Sequence, residues 1–167
     1  MKFFSKGSEY AIRAMLHVAE SHSFDGFSPK KICAEAGIPE PFGRKAFAEL
    51  VKAQIIQGTR GPGGGYNLMR DPADTSLLDI VLAVDGQHSF DDCPMGLQCE
   101  AQKAGGSFRA CKNCRIPKPK CGLNHVCPMH SLWKQTRQSV IHYLETTTLE
   151  DIKDRLIAAS SRKDISA

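Results

Sequence analysis

Six of the seven cysteines fall within 35 residues: Cys93, Cys99, Cys111, Cys114, Cys121 and Cys127, with His130 three positions further on. Thiolates are the ligands of zinc and of iron–sulfur clusters. In a reducing interior such a group reads as a metal site rather than as disulfides. Zinc fits one four-thiolate set, for example Cys111, Cys114, Cys121 and Cys127, and an iron–sulfur cluster fits the spacing equally well. The donor chemistry alone leaves both open. A thiol-redox role for Cys111-x2-Cys114 would require the pair to open a helix after a strand, and no such pattern surrounds it. Cys33 stands apart on an apolar helix face and reads as a small core residue. No nucleophile, base and orienter can be assembled, so neither an enzyme nor a small-molecule substrate is expected.

The cysteines need a scaffold. Residues 86–127 are rich in Gly, Pro, Lys and Cys and lack apolar periodicity, so a metal is the expected tie for so long a loop. Before it, four helices are predicted. The first runs from Ser8, its cap, to Ser21, with one polar stripe of Glu9, Arg13, His17 and Glu20 on an otherwise apolar cylinder. Ser28 and Pro29 open the second, which stops at Gly37. The third spans about Pro41 to Ala53, with Phe42, Ala46, Phe47, Leu50 and Val51 at helical spacing. A short helix, a glycine turn and a longer basic helix outline a helix-turn-helix, whose second helix enters the major groove. Strands at Ile55–Arg60 and from Tyr66 to Arg70 flank Gly61-Pro62-Gly63-Gly64-Gly65 as a hairpin, and Ser76 caps a fourth helix to Val84. After the loop, a helix from about Pro128 carries Leu132, Trp133, Thr136, Val140, Tyr143 and Leu144. A short one restarts at Thr148, and the tail beyond Ser160 is expected to fray. The fold class is therefore mainly α with a small β-hairpin wing: a winged helix-turn-helix plus a long C-terminal helix. The expected division is 1–85 for DNA binding, 86–127 for the cysteine loop, 128–160 for the last helices and 161–167 for a flexible tail.

Charge follows the same plan. The 22 basic and 18 acidic residues give only +4 overall. Between Ser28 and Arg70, however, seven basic residues face three acidic ones, and from Ala101 to Leu144 eight basic residues meet no acid at all. Basic surfaces of this kind favour nucleic acid. In the third helix Arg44 could bond a guanine edge and Lys45 a phosphate, whereas Lys30 and Lys31 suit phosphates. Gly43 in that helix is read as room for close DNA approach. Around the hairpin tip, Gly63 and Gly64 let the backbone reach the sugar-phosphate wall, beside Arg60 and Tyr66. The tip lacks the Lys-Ser/Thr ending of a nucleotide loop. No run reaches the about 18 apolar residues of a membrane span. The first residues hold no apolar signal core, so a cytoplasmic protein without membrane contact is expected.

The residues that match a known family are Ser5-Lys6-Gly7 with Glu9-Tyr10-Ala11-Ile12-Arg13-Ala14-Met15-Leu16, Arg60-Gly61-Pro62-Gly63-Gly64-Gly65-Tyr66, and Leu82-Ala83-Val84-Asp85-Gly86. Further on come Cys127-Pro128-Met129-His130-Ser131-Leu132-Trp133 and Thr148-Leu149-Glu150-Asp151-Ile152. On these the chain resembles the IscR/NsrR/CymR-type bacterial winged-helix regulators, the Rrf-two family, over nearly all of its length except 100–120. The resemblance implies a homodimer joined through the long C-terminal helix, reading a palindromic double-stranded DNA operator as a repressor. In cluster-binding members, three loop cysteines match Cys93, Cys99 and Cys127. The fourth ligand is either a histidine, matched by His130, or an acidic residue of the partner's first helix, matched by Glu9. Some members add a histidine one turn later, where this chain has Arg13. The implied cofactor is an iron–sulfur cluster, 2Fe–2S favoured over 4Fe–4S, reporting redox stress, nitric oxide or iron and cluster supply. This chain departs from the family between Cys99 and Cys127, where an insertion brings Cys111, Cys114 and Cys121 as alternative or second-site ligands.

Overall fold

The computed structural model describes residues 4–21, 24, 26–59, 65–87, 89–90 and 130–163. The elements are α1 (Lys6–Glu20), α2 (Pro29–Glu35), α3 (Glu40–Lys52), β1 (Ile56–Gly58), β2 (Tyr66–Leu68), a 3-10 turn (Pro72–Asp74), α4 (Leu77–Asp85), α5 (His130–Thr146) and α6 (Leu149–Lys163). Helices with one two-stranded antiparallel hairpin make up the described fold, as expected.

Helix α1 starts earlier than its sequence predicts. Ser5, not Ser8, is the cap: its hydroxyl accepts the Ser8 amide at 3.2 Å. Asp85, 80 residues away, fixes Ser5 by accepting its amide at 2.7 Å. Ser8 itself is fully buried. The inner face of α1 (Ala11, Ala14, Met15, Val18) packs against α3, α4 and α6.

The turn after α2 is a Schellman cap. Gly37 takes φ +62°, the Gly37 amide reaches Ala34 O at 3.3 Å, and Ile38 N–H reaches Cys33 O at 2.8 Å. Ile38 is buried against the core. The same bonds end α3, where Gln54 sits at φ 56° and Ile55 N–H reaches Leu50 O at 3.0 Å. Helix α3 begins at Glu40 and buries Gly43, Ala46, Phe47 and Leu50. Phe42 and Val51, which share the helical apolar spacing, are exposed at 56% and 37%. The Phe42 ring instead lies 5.8 Å from that of Tyr10, against α1.

The strands are three residues each, shorter than expected, in the register Ile56↔Leu68, Gln57↔Asn67 and Gly58↔Tyr66. The segment before α2 joins them, because Phe27 and Tyr66 exchange backbone hydrogen bonds of 3.0 and 2.9 Å. A Cβ on Gly65 would stand 2.6 Å from Phe27 O, so this position excludes side chains.

Ser76 caps α4 as predicted, in a reciprocal box with Asp79. Thr148 and Asp151 repeat that box at α6. Between the two caps, Leu77 N–H reaches Thr147 O at 2.9 Å and Leu149 N–H reaches Thr75 O at 3.0 Å. Helix α6 is not the short element expected: it holds 15 residues and runs past Ser160 to Lys163. In α5 the buried face is Arg137, Ile141 and Leu144, while Leu132 and Tyr143 are exposed at 60% and 54%. The apolar spacing read from the sequence had merged two faces of this helix. Arg137 donates to Phe90 O at 3.0 Å, which satisfies one donor of this buried cation.

Candidate nucleic-acid interface

Helices α2 and α3 each expose basic residues, and one from each lines a common cleft. Lys30 and Lys31 are exposed in the first turns of α2, and Arg44 and Lys45 are exposed on α3. Lys30, Arg44 and Tyr66 border a common cleft of about 390 Å³, completed by Pro29, Cys33 and Glu40. The wing base is thus brought to the recognition helix. Arg60, Gly63 and Gly64 lie outside the described residues.

Tyr66 is anchored from below. Its ring stacks on Phe47 at 5.5 Å and 14°, and Phe27 lies 6.1 Å away. Phe47 is 1% exposed, so one aromatic group joins α3, the wing and the segment before α2. Arg44 is held differently. Its Nε donates to Glu40 Oε1 at 3.0 Å, and its Nη2 donates to the same oxygen. That bond holds the Glu40 carboxyl below its usual range and pushes the guanidinium up. The i,i+4 spacing of Glu40 and Arg44 was visible in the sequence and marks a helix-surface pair.

Gly43 is buried and faces α2, not solvent, which corrects the reading that it makes room for DNA. A Cβ there would lie 2.2 Å from Cys33 Sγ. The glycine lets the two helices approach closely. Gly43→Ala is expected to destabilise the fold by about 1–3 kcal/mol through overpacking, despite alanine's better helix propensity of about 1 kcal/mol. Adding Cys33→Ala should recover most of that loss in urea denaturation; a Gly43→Ala protein as stable as wild type would refute the contact. Cys33 is buried as expected, and burial pushes its thiol up, with the Glu40 charge adding to the rise.

The polar stripe of α1 grips the helix-turn-helix. Arg13 Nη2 donates to Ala36 O at the end of α2, and His17 Nε2 lies 3.0 Å from Glu35 Oε2. Arg13 is therefore engaged in holding the turn. Glu9 is in the first turn of α1, half-buried, with Lys6 Nζ 2.7 Å from its carboxylate. His130 is the first residue of α5. Cys93, Cys99, Cys111, Cys114, Cys121 and Cys127 lie outside the described residues. Among the described residues no three Cys, His, Asp or Glu side chains converge on a metal site, and no helix is long and apolar enough to cross a membrane.

Solved structures share this architecture. CymR, the global cysteine regulator of B. subtilis, superposes with a TM-score of 0.64 at 22% identity, covering 93% of this chain and 98% of its own. T. potens IscR gives 0.60 at 24% identity, covering 93% and 88%. The fold is that of the winged-helix regulators. Residues 4–155 match the Rrf2 family model, described as iron-dependent transcriptional regulator, and the chain belongs to that family. The HTH-type transcriptional regulator IscR of Vibrio vulnificus is 29% identical over 167 residues, spanning 99% of this chain and 86% of the relative. The chain is a transcriptional regulator of the IscR-like kind, not an enzyme.

Proposed function

We propose that the chain acts in the cytoplasm as a homodimeric repressor whose grip on a palindromic operator depends on an iron–sulfur cluster. The observation that carries the DNA-binding half is the shared cleft of Lys30, Arg44 and Tyr66, which sets α2, α3 and the wing base on one face. Arg44 would face base edges, Lys30, Lys31 and Lys45 phosphates, and Arg60, Gly63 and Gly64 the minor groove.

The donor chemistry supports the other half. Cys93, Cys99 and Cys127 offer thiolates, and Glu9 or His130 completes four ligands. Arg13 is a cation bonded to Ala36 O and cannot serve, which leaves those two as the choice. When bound, the cluster supplies a one-electron redox centre and a covalent tie across the loop. The protein's own part is transmission. Glu9 lies one turn from Arg13 on α1, and Arg13 holds the turn between α2 and α3. A shift at the start of α1 is therefore passed to the reading helix. In a dimer whose half-sites sit about 34 Å apart, a small rotation breaks register. The exposed Leu132 and Tyr143 of α5 are the surface offered to the second copy.

The test is protein purified without oxygen. Iron, sulfide and broad visible absorption are expected, and stripping the metal should weaken operator binding and alter sequence choice. Zinc alone would replace the sensor with a structural site, for which Cys111, Cys114 and Cys121 are candidates. A metal-free protein with a reversible disulfide would make it a thiol switch. Unchanged DNA binding after metal removal would refute the coupling.

A further inference from the structure

The pair on α3 has a geometry with consequences for which base is read. Glu40 Oε1 takes both the Nε and the Nη2 hydrogens of Arg44, occupying one side of the guanidinium fork. A guanidinium carries five donors in a fixed plane. With its Nε side held, the end face formed by Nη1 and the outer Nη2 hydrogen is left unengaged by Glu40. That end face presents two parallel N–H donors that can pair with the O6 and N7 acceptors of guanine. Arg44 is 74% exposed, so the end face is open to an incoming duplex.

The surroundings favour a persistent hold. Glu40 lies in the first turn of α3, where the helix dipole favours a carboxylate. Arg44 and, more weakly, Lys30 across the cleft keep it ionised. The same carboxylate lines the cleft together with both cations. Lys45, the next residue, makes no ion pair among the described residues, in keeping with a phosphate contact that needs no fixed orientation.

We infer that Glu40 is a specificity-determining positioning residue: it braces Arg44 from the side so that the guanidinium end reads one guanine in each half-site. The inference rests on the proposed docking of α3 in the major groove.

The experiment enriches bound sequences from a pool of random-sequence duplex DNA, using the full chain purified without oxygen. The wild type should enrich a guanine at two symmetry-related positions, and Arg44→Ala and Arg44→Lys should lose it. Glu40→Gln should reduce the guanine preference at those positions about tenfold, leaving the other positions and the thermal midpoint unchanged. Combining Glu40→Gln with Arg44→Ala should do no more than Arg44→Ala alone. Undiminished guanine preference in Glu40→Gln overturns the inference. So does a uniform rise in affinity for all sequences, which would mean that Glu40 only repels phosphates. A wild type that enriches no sequence would remove the docking itself, a failure visible before any substitution is made.

Discussion

Phe47→Ala should lower the free energy of unfolding by about 3–5 kcal/mol, read from the midpoint and slope of urea denaturation. Phe47 is among the largest fully buried side chains and touches three parts of the DNA-binding head. Its ring meets Tyr66 at 5.5 Å and Phe27 at 6.2 Å, and it sits on α3 itself. Truncation leaves a cavity where the wing and the helix join. DNA affinity should therefore fall even at temperatures where the variant is folded. Phe47→Leu keeps most of the volume and should cost less than half as much. A loss below about 1 kcal/mol for Phe47→Ala would show that the aromatic group is not a joint.

Cys93→Ala, Cys99→Ala and Cys127→Ala should each yield protein without visible absorption or bound iron, and should drop operator affinity about 1,000-fold, towards the non-specific level. Cys33→Ala should keep its metal, because Cys33 is a buried thiol on α2 whose pKa is raised, far from thiolate character. The expected effect is large because each of the three thiolates is a proposed ligand, and because the whole specific increment of binding is proposed to depend on the cluster. If iron remains in the three variants and leaves in Cys111→Ala or Cys114→Ala, the ligands belong to the insertion.

The parts of the fold that local chemistry dictates were legible in the chain. Ser76 with Asp79, Pro29 at the start of α2 and Gly37 at its end each carry a signal within four residues. Features set by distant partners were not. Ser5 rather than Ser8 caps α1 because Asp85 holds it, and no local rule announces a residue 80 positions away. Gln54 ends α3 at positive φ without the glycine that usually marks such a turn. Gly43 read as a gap for DNA because its neighbour Cys33 belongs to another helix. Of the residues proposed to face DNA, Lys30, Arg44 and Tyr66 meet at one cleft, and the Glu40–Arg44 pair beside them has the i,i+4 spacing of a helix-surface ion pair. The proposed metal ligands lie outside the described residues, in a segment whose composition carries no apolar periodicity to read.

The crossed hydrogen bonds between Thr75–Leu77 and Thr147–Leu149 have a consequence for dissection of the molecule. They stitch the entrance of α4 to the entrance of α6, and Ile141, Leu144 and Leu149 complete the hydrophobic core begun by α1 and α4. A head excised before α5 would carry a raw apolar wound and two severed backbone links. The first helices and the last two thus share one core, so the head is expected to lose stability when cut from the helices that follow it.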